Sequence, residues 1–299
     1  MNTVLIAGGS GLVGGALIQS LKGWNIRVLS TRKNAKVTGA EVYYWNPDQY
    51  EMDESALEDV SCIINLAGAN INHKWTIQYK QEIVDSRTRT AETLFKHVRK
   101  LKSTKPECYI SASGVNYYPN SLDAVFTEDD ENGKGFLAQV CNLWEQGADK
   151  FETVGLRVVK LRTGMVLSRN GGAMKMLEPL AKFCLNAPIG NGKQWISWIH
   201  IADLVGIIKS AMTNETYSGV YNAVAPQPVT NKEMAYDLAK AVIRPVLIPF
   251  VPRAAVKLLF GQMSTVVLEG QNASAQKLEN AGYQFQFKTM PEALKDLFN

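Results

Sequence analysis

Three glycines near the start of the chain have the spacing of a pyrophosphate-binding turn. They follow the apolar run Val4–Ala7 and precede the helix-like segment ALIQSLK. This order places backbone N–H groups and a helix N-terminus around an anion. The first glycine permits a tight turn, the second lets a pyrophosphate approach the backbone, and the third lets the helix pack on the strand. A glycine-rich turn without a ligand is the alternative. We expect a dinucleotide to bind Gly8, Ser10, Gly11, Leu12, Val13 and Gly14.

The segment Ser30–Lys33 after the second predicted strand indicates which dinucleotide is bound. A site selective for NAD carries an acidic residue near this point, which binds the ribose 2′-hydroxyl. Here the acid is absent and Arg32 stands in its place, beside the hydroxyl of Thr31. A guanidinium suits a doubly charged 2′-phosphate. The sequence therefore predicts NADP(H) as the cofactor, with a solvated loop arginine as the alternative.

A second polar and aromatic cluster lies in the segment GNGKQWISWIHIAD. Aromatic faces stack on a sugar or nucleobase, and amide or imidazole edges form hydrogen bonds with it. The alternatives are that the tryptophans pack a domain junction and that the histidine, with Asp203 three residues on, orients the next helix. The predicted substrate residues are Gln194, Trp195, Trp198 and His200.

Composition and charge narrow the class of protein. The chain has 299 residues, of which 46% are hydrophobic and 20% charged, as in soluble globular proteins with a sizeable core. Its 32 basic residues are interleaved with 28 acidic ones, so a dedicated nucleic-acid surface is not expected. No apolar run reaches membrane-spanning length, and no basic and apolar leader precedes the glycines. We expect no membrane association.

The cysteines and histidines are scattered along the sequence. The four cysteines form no CxxC pair, so free thiols in a reducing cytoplasm are expected. The three histidines form no cluster with metal-ligand spacing, so no metal is expected.

Strand-like and helical segments alternate through the first two-thirds of the chain. The predicted strands after the first are 27–30, 41–44, 62–66, 108–111 and 156–161, and the helices are 76–101, 136–151, 202–212 and 231–242. Repeated βα units with apolar strands predict a parallel sheet covered on both faces. Right-handed crossovers then give an α/β, doubly wound (Rossmann) fold.

The alternation becomes irregular after Leu167, where glycines and prolines collect. We interpret this as a second, smaller C-terminal domain that carries the substrate site. The predicted division is 1–166 and 198–222 for the NADP-binding Rossmann domain, and 167–197 and 223–299 for the smaller substrate-binding domain.

Several motifs together carry a resemblance to a known family. They are NLAGANI (65–71), YISAS (109–113), SRTRT (86–90), VCNLWE (140–145), LRTGMVLSRNGGAM (161–174), SWIHIADLV (197–205) and YNAVAP (221–226). With the glycine turn, they make the chain resemble an extended short-chain dehydrogenase/reductase of the atypical epimerase-family branch, similar to sugar-nucleotide epimerases. The matching segments run almost from end to end.

The sequence departs from this family in its proton-transfer residues. A standard member carries Tyr-x-x-x-Lys, in which the lysine lowers the pKa of the tyrosine. Counting back from Glu145 places those two positions near Leu137 and Cys141, so the pair is missing. The resemblance suggests Ser113 as the counterpart of the family's serine. The predicted catalytic residues are Ser113, Tyr117, Tyr118 and Cys141; a serine at a strand end, core aromatics and a buried thiol are the alternatives.

The resemblance also implies further cofactor contacts and an assembly. Arg87 stands where the standard fold has an asparagine, and Glu82 lies about one turn earlier. The additional cofactor residues are Leu66, Ala67, Gly68, Glu82, Arg87 and Val166. Proteins of this kind often form homodimers through long surface helices such as 76–101, although an amphipathic face toward the sheet explains that helix equally.

Two functions fit these observations. The first is an NADP(H)-dependent oxidoreductase or epimerase acting on a sugar nucleotide or another small carbonyl or hydroxyl compound. The second is a non-catalytic NADP(H)-binding sensor or scaffold, which the missing Tyr-x-x-x-Lys pair favours.

Overall fold

The computed structural model describes residues 2–102 and 105–298. The strands are β1 (Thr3–Ala7), β2 (Asn25–Ser30), β3 (Glu41–Asn46), β4 (Glu51–Met52), β5 (Val60–Asn65), β6 (Cys108–Gly114), β7 (Val125–Phe126), β8 (Arg157–Thr163), β9 (Met165–Leu167), β10 (Trp195–Ile196), β11 (Trp198–His200), β12 (Gly219–Ala223), β13 (Val229–Thr230) and β14 (Asn272–Ala273). The helices are α1 (Leu12–Ser20), α2 (Ile77–Lys100), α3 (Phe136–Asp149), α4 (Met174–Lys182), α5 (Ile201–Thr213), α6 (Asn231–Ala241), α7 (Arg253–Phe260), α8 (Thr265–Leu268), α9 (Gln276–Asn280) and α10 (Met290–Phe298).

Eight strands form one sheet in the order β12-β8-β6-β5-β1-β2-β3-β4. Every neighbouring pair is parallel except β3 and β4 at one edge. The predicted doubly wound α/β fold is therefore confirmed. Because β1 lies between β2 and β5, the chain reverses its direction of progress across the sheet at β1. A crevice opens at such a point outside the carboxyl ends of the strands, where ligands bind in folds of this type.

The central strands are buried on both faces, as their apolar runs predict. Val4 and Ile6 of β1 belong to one core cluster, and Leu5 and Ala7 belong to another on the opposite face. This follows from the two-residue period of a strand. Helices α1 and α5 contribute to the first cluster, and α2 contributes to the second.

The long helix α2 begins and ends within one residue of the predicted bounds. Thr76 is its N-cap and accepts a hydrogen bond from the Tyr79 N–H, and Leu101 follows its last turn. Three basic residues, His97, Arg99 and Lys100, lie in that turn, where the helix dipole favours positive charge.

A third core cluster lies beyond the sheet and joins parts that are distant in sequence. It includes Trp198 of β11, Met234 and Leu238 of α6, and Met290 and Leu294 of α10. The segment just before α10 packs elsewhere, because Ala273, Ala275, Leu278 and Phe285 belong to the first sheet cluster. The predicted domain division stays a prediction, and these contacts cross its boundary.

The buried carboxylate of Asp203 ties the C-terminal segment to the sheet. Asp203, near the start of α5, is fully buried. It accepts hydrogen bonds from the backbone N–H groups of Gln286 at 2.8 Å and Phe287 at 3.0 Å. The Tyr283 hydroxyl lies 2.9 Å from the Asp203 carbonyl oxygen and 3.1 Å from the carboxylate, between which its one proton is shared. These donors satisfy a charge that would otherwise be costly to bury. None of the helices within residues 2–102 and 105–298 has the length and apolar character needed to cross a bilayer.

Candidate functional site

The glycine turn after β1 is built by close backbone contacts. Gly8 has a φ of +84°, and a Cβ atom there would lie 2.8 Å from the backbone of Leu66. A Cβ atom on Gly14 would collide with the Gly8 carbonyl oxygen and lie 2.7 Å from Gly9 Cα. At Gly11, in contrast, the nearest atom to a Cβ would be the Gly8 carbonyl oxygen at 3.2 Å. The first and third glycines are thus required by the fold, and the second leaves the turn open.

Helix α1 begins at this turn without a side-chain cap. Its N-cap is Gly11, and no acidic residue lies in its first turn. The N–H groups around Ser10, Leu12 and Val13 therefore have no competing carboxylate nearby, and the helix dipole makes this end electropositive. These features suit the pyrophosphate of a dinucleotide.

The end of β2 lies beside the turn and carries a cation. β2 pairs in parallel with β1 up to Leu29, opposite Ala7. Thr31 and Arg32 follow it and are both exposed. The Arg32 backbone N–H donates to the Ser30 hydroxyl at 3.1 Å, and this hydrogen bond stabilises the turn. The Arg32 side chain takes no part in it and is exposed to solvent. Arg32 therefore adds an exposed positive charge at the strand end next to the glycine turn.

Arg87 of α2 reaches back toward the strand ends. Its guanidinium donates to the carbonyl oxygens of Ile83 at 3.0 Å and Ala69 at 3.2 Å and lies over the Trp144 ring, 4.8 Å from the centroid. A Cβ atom on Gly68 would be 3.0 Å from the Arg87 guanidinium carbon. Burial lowers the pKa of Arg87 from its ordinary value of 12.5, which leaves it charged near neutral pH.

The other residues predicted by resemblance lie in two places. Leu66 and Ala67 follow β5 against the glycine turn, where the Ala67 N–H donates to the Asn65 side chain at 3.2 Å. Val166 lies in β9, and its carbonyl oxygen approaches Gly172 on the loop that covers Leu12. Glu82 is exposed on α2 and forms no ion pair with Arg87 among the described residues.

A cavity of about 480 Å³ lies beyond the carboxyl ends of β6 and β8. Six predicted residues line it: Arg87, Ser113, Cys141, Val166, Gln194 and Trp195. The other lining residues were not predicted as site residues, and they come from strands, loops and four helices. The helices contribute an apolar part of the wall, which includes Leu137, Val140, Trp144, Met176, Leu177, Met234, Val266 and Val267. No single motif could reveal them, because they look like ordinary helix core positions.

Ser113 is held by a buried ion pair. Its hydroxyl donates to Glu145 Oε1 at 2.7 Å. Glu145, from α3, forms a two-point salt bridge with Arg162 of β8, whose Nε and Nη2 lie 2.9 Å from the two carboxylate oxygens. Both ionic residues are at most 5% exposed, and Arg162 is the register partner of Ser113. Because the single Ser113 proton is donated to Glu145, its oxygen has only lone pairs to offer the cavity. This pair was not predicted from the sequence, where its one indication is Arg162, a charged residue in a mainly apolar strand.

The two tyrosines predicted to be catalytic do not line the cavity. The Tyr118 hydroxyl donates to Asn222 Oδ1 at 2.7 Å and accepts from Arg162 at 2.9 Å, and its ring is buried in the sheet core. Burial raises the pKa of Tyr118 to about 12. The Tyr117 ring lies against the Arg162 guanidinium, 3.4 Å from ring centroid to Cζ. These contacts favour the packing alternative, and the catalytic assignment of the two tyrosines stays a prediction.

The wall contributed by α3 carries no group that exchanges protons near neutral pH. Leu137 and Cys141, the positions that correspond to the family's tyrosine and lysine, both line the cavity. Burial, with a smaller contribution from Glu145, raises the pKa of the Cys141 thiol to about 11. The raised pKa favours the alternative of a buried, unreactive thiol, and the catalytic assignment of Cys141 stays a prediction.

Trp198 and His200 lie outside the cavity that the other two predicted substrate residues, Gln194 and Trp195, line. Trp198 is fully buried in the third core cluster and donates to the Gln227 carbonyl at 2.8 Å. His200 is the N-cap of α5, where its Nδ1 accepts from the Ala202 N–H at 3.2 Å. Neither residue lines the cavity, and their contacts favour the junction and capping alternatives; the substrate assignments stay predictions. Across residues 2–102 and 105–298, His, Cys, Asp and Glu side chains form no group of three that could hold a metal.

Comparisons with known proteins agree with this architecture. The family described as "NAD dependent epimerase/dehydratase family" matches residues 4–223, and a "Domain of unknown function (DUF1731)" matches residues 251–297. An epimerase family protein of Mycobacterium leprae is 38% identical, over 97% of this chain and 94% of its own length.

Two solved structures are similar over nearly the whole chain. The human epimerase family protein SDR39U1, crystallised with NADPH, has a TM-score of 0.88 and 32% identity, covering 99% of this chain and 98% of its own. A nucleoside-diphosphate sugar epimerase from Corynebacterium glutamicum has a TM-score of 0.80 and 30% identity, covering 99% of this chain and 58% of its own. On these matches and on the fold, the chain belongs to the NAD dependent epimerase/dehydratase family.

Proposed function

We propose that this protein binds NADP(H) and uses it to oxidise or reduce a small carbonyl or hydroxyl compound in the cavity beside Ser113. The observation that carries the proposal is the uncapped N-terminus of α1 behind the open turn at Gly11. It offers backbone donors and a positive dipole end at the sheet's ligand crevice. The cavity at the ends of β6 and β8 gives a substrate a place in that crevice.

The choice of NADP(H) over NAD(H) rests on Arg32. An exposed guanidinium with no acid beside it favours a 2′-phosphate over a 2′-hydroxyl. The NADPH in the similar human structure supports the same choice. Gly68 and the half-buried Arg87 lie between the glycine turn and the cavity, where we place the ribose and phosphates nearest the reacting end.

When bound, this cofactor supplies or accepts a hydride. The residues of this chain would bind and orient the substrate. The Ser113 oxygen accepts a hydrogen bond from a substrate hydroxyl, because the Glu145–Arg162 pair fixes the Ser113 proton on its other side. No lining tyrosine or lysine, among the described residues, repeats the family's proton-transfer pair.

A non-catalytic NADP(H)-binding protein is the second candidate. The observation in its favour is the replacement of that pair by Leu137 and a protonated Cys141 on the cavity wall. It predicts tight cofactor binding with no change in NADPH absorbance, whatever carbonyl compound is added.

Thermal unfolding with NADP+, NADPH, NAD+ and NADH tests the cofactor proposal. At about 100 times its dissociation constant, a ligand should stabilise the native state by about 2.7 kcal/mol. We expect Arg32→Ala to reduce the shift with NADP+ and NADPH and to leave the shifts with NAD+ and NADH unchanged. Arg99→Ala, which removes a cation from the last turn of α2, is the control and should change none of them. If all four nucleotides stabilise the wild-type protein equally and Arg32→Ala changes none of the shifts, Arg32 does not select the cofactor; no stabilisation of the wild-type protein would contradict cofactor binding.

A further inference from the structure

Most of the large apolar side chains that the described residues leave exposed lie in two segments. One is α4 with the turn after it, and the other runs from the end of α6 through α7. We call this set the apolar face; it consists of Met176, Leu180, Phe183, Leu185, Ile243, Leu247, Phe250, Leu258, Leu259 and Phe260. Soluble monomeric proteins rarely expose so many large apolar residues together, and such a surface marks a contact with a partner or a membrane.

Hydrogen bonds join the two segments into one connected surface. The Arg244 guanidinium donates to the Lys182 carbonyl oxygen at 3.2 Å. Further along both segments, the Gly190 N–H donates to the Val251 carbonyl oxygen at 2.8 Å. Residues 182–190 and 244–251 therefore run side by side, and α7 follows directly at Arg253.

Helix α7 presents apolar residues to solvent where a surface helix normally has polar ones. Val256 is its one buried residue. Leu258 lies two residues further on, on nearly the opposite side of the helix, and is 87% exposed. Leu259 beside it is 77% exposed. Side chains exposed to this extent protrude from the surface. A rigid partner would need a matching pocket for each of them, whereas the fluid acyl chains of a bilayer adapt to them.

The charge around the apolar face is positive. No acidic residue occurs in 238–268, and the basic residues of this stretch are all exposed: Lys240, Arg244, Arg253 and Lys257. In α4, Glu178 is paired with Lys182 at 2.6 Å. Basic residues beside protruding apolar ones are typical of surfaces that bind anionic lipids. A second copy of this chain would bring the same positive charge to the contact, which disfavours a symmetric dimer through this face.

We propose that the apolar face docks this protein on the surface of a bilayer that contains anionic lipids, with Leu258 and Leu259 among the acyl chains and Lys257 near the lipid phosphates. We expected no membrane association because no segment is long enough to span a bilayer, and none of the described helices could cross one. Docking from one side needs no such segment. Met176 belongs to the apolar face and also lines the cavity, so the face borders the cavity.

Co-sedimentation of the full-length protein with lipid vesicles tests the proposal. The vesicles consist of phosphatidylcholine alone or of an equal mixture of phosphatidylcholine and phosphatidylglycerol. We expect the protein to bind the mixed vesicles about tenfold more tightly or better, since each basic residue near an anionic surface contributes about 1 kcal/mol. Added salt should reduce this difference because it screens the attraction. Binding to neither kind of vesicle would overturn the proposal in favour of a protein partner, and equal binding to both would overturn the role of the anionic lipid.

Variants locate the docking surface. Leu258→Gln combined with Leu259→Gln should weaken binding to the mixed vesicles about tenfold or more, because two apolar side chains no longer enter the bilayer. Lys257→Gln should weaken it about fivefold, which corresponds to about 1 kcal/mol for one basic residue. Ile77→Gln is the matched control, because Ile77 is also 87% exposed but lies at the start of α2, outside the apolar face. It should bind as the wild-type protein does.

The melting temperature of each variant checks its folding, and the shifts should be small because all these positions are exposed. Wild-type affinity in the leucine variant, or an equal loss in the Ile77 control, would show that the apolar face is not the docking surface.

Size-exclusion chromatography with light scattering distinguishes docking from self-association. A wild-type dimer that becomes a monomer in the leucine variant would show that a second copy covers the apolar face, and it would overturn the proposal. An oligomeric state that is the same in the wild-type protein and the leucine variant supports a face left free for the bilayer.

Discussion

At the scale of single residues, the three glycines of the turn have different physical roles. Gly8 needs a positive φ, Gly14 needs the absence of a Cβ, and Gly11 leaves the turn open to a ligand. Their spacing identifies the turn in the sequence because each requirement is local. The hydrogen bonds of the Gln194 amide are different, since they depend on carbonyl groups at residues 189 and 267 that only folding brings near.

Replacement of Gly14 by alanine tests the close approach of α1 to the turn. The new Cβ would collide with the Gly8 carbonyl oxygen, so we expect Gly14→Ala to destabilise the protein by about 1–3 kcal/mol, in addition to weakening NADPH binding. Urea unfolding measures the change. The adjacent Gly15→Ala is the matched control, because its Cβ would approach no atom nearer than Gly9 O at 4.0 Å. We expect Gly15→Ala to stabilise the helix by about 0.5–1 kcal/mol. A similar loss in both variants would contradict this account.

At the scale of secondary-structure elements, α3 and α5 show that a motif does not by itself determine what its side chains contact. The segment SWIHIADLV predicts substrate contacts by composition, but β11 directs Trp198 into the third core cluster and His200 onto the N-terminus of α5. Helix α3 was predicted correctly, and its face toward the cavity follows from the packing of its buried residues. The sequence gives the period of a helix, and the neighbouring elements decide what each face contacts.

We expect the cap of α5 to make the stability of the protein depend on pH. Burial lowers the pKa of His200 from its ordinary value of 6.5, with Asp296 and Asp203 opposing the change. The His200 imidazole is therefore protonated less readily in the folded state than in the unfolded state. The contribution is present above the unfolded pKa and is lost as the pH falls below it. We expect the urea concentration at the midpoint of unfolding to decrease as the pH is lowered from 7.5 to 5.5. For His200→Asn, which retains a capping acceptor, this midpoint should decrease less over the same range.

Asp296→Asn is a second variant for this experiment, and we expect it to change the pH dependence in the opposite direction to His200→Asn. Asp296 Oδ2 lies 3.4 Å from His200 Nε2 and raises the pKa of the imidazole. Without that carboxylate we expect a steeper loss of stability on acidification than in the wild-type protein. Identical pH profiles in the three proteins would show that His200 does not contribute.

At the scale of the whole molecule, the C-terminal segment completes the core of the sheet domain. Residues 273–285 pack on the sheet, whereas α10 packs on α6. The C-terminal segment is therefore anchored to the sheet at one end and to α6 at the other. The sequence predicted a smaller part with its own substrate site, and the contacts show that this part shares its core with the rest. The predicted homodimer stays a prediction.

Asp203 provides a test of this coupling. Asp203→Ala would leave the backbone N–H groups of Gln286 and Phe287 without their acceptor, whereas the Tyr283 hydroxyl would keep the Asp203 carbonyl oxygen, so we expect a loss of about 2–3 kcal/mol in the free energy of unfolding. Tyr283→Phe removes one donor and retains the ring, so its loss should be about 1 kcal/mol. Urea unfolding followed by circular dichroism measures both. If the two variants lose equal stability, the backbone contacts of Asp203 do not hold the segment.

The sequence by itself determined the features that depend on neighbouring residues. The apolar strands, the amphipathic α2, the glycine turn and the cation after β2 each lie within a few residues, where backbone sterics and local periodicity act. The tertiary structure decided the features that depend on residues far apart in the chain. The Ser113–Glu145–Arg162 network, the burial of Tyr118 and the apolar wall of the cavity each join several elements. Hydrogen-bond satisfaction and burial are set by that assembly, so the sequence predicted the cofactor and only the fold showed the cavity and the residues that line it.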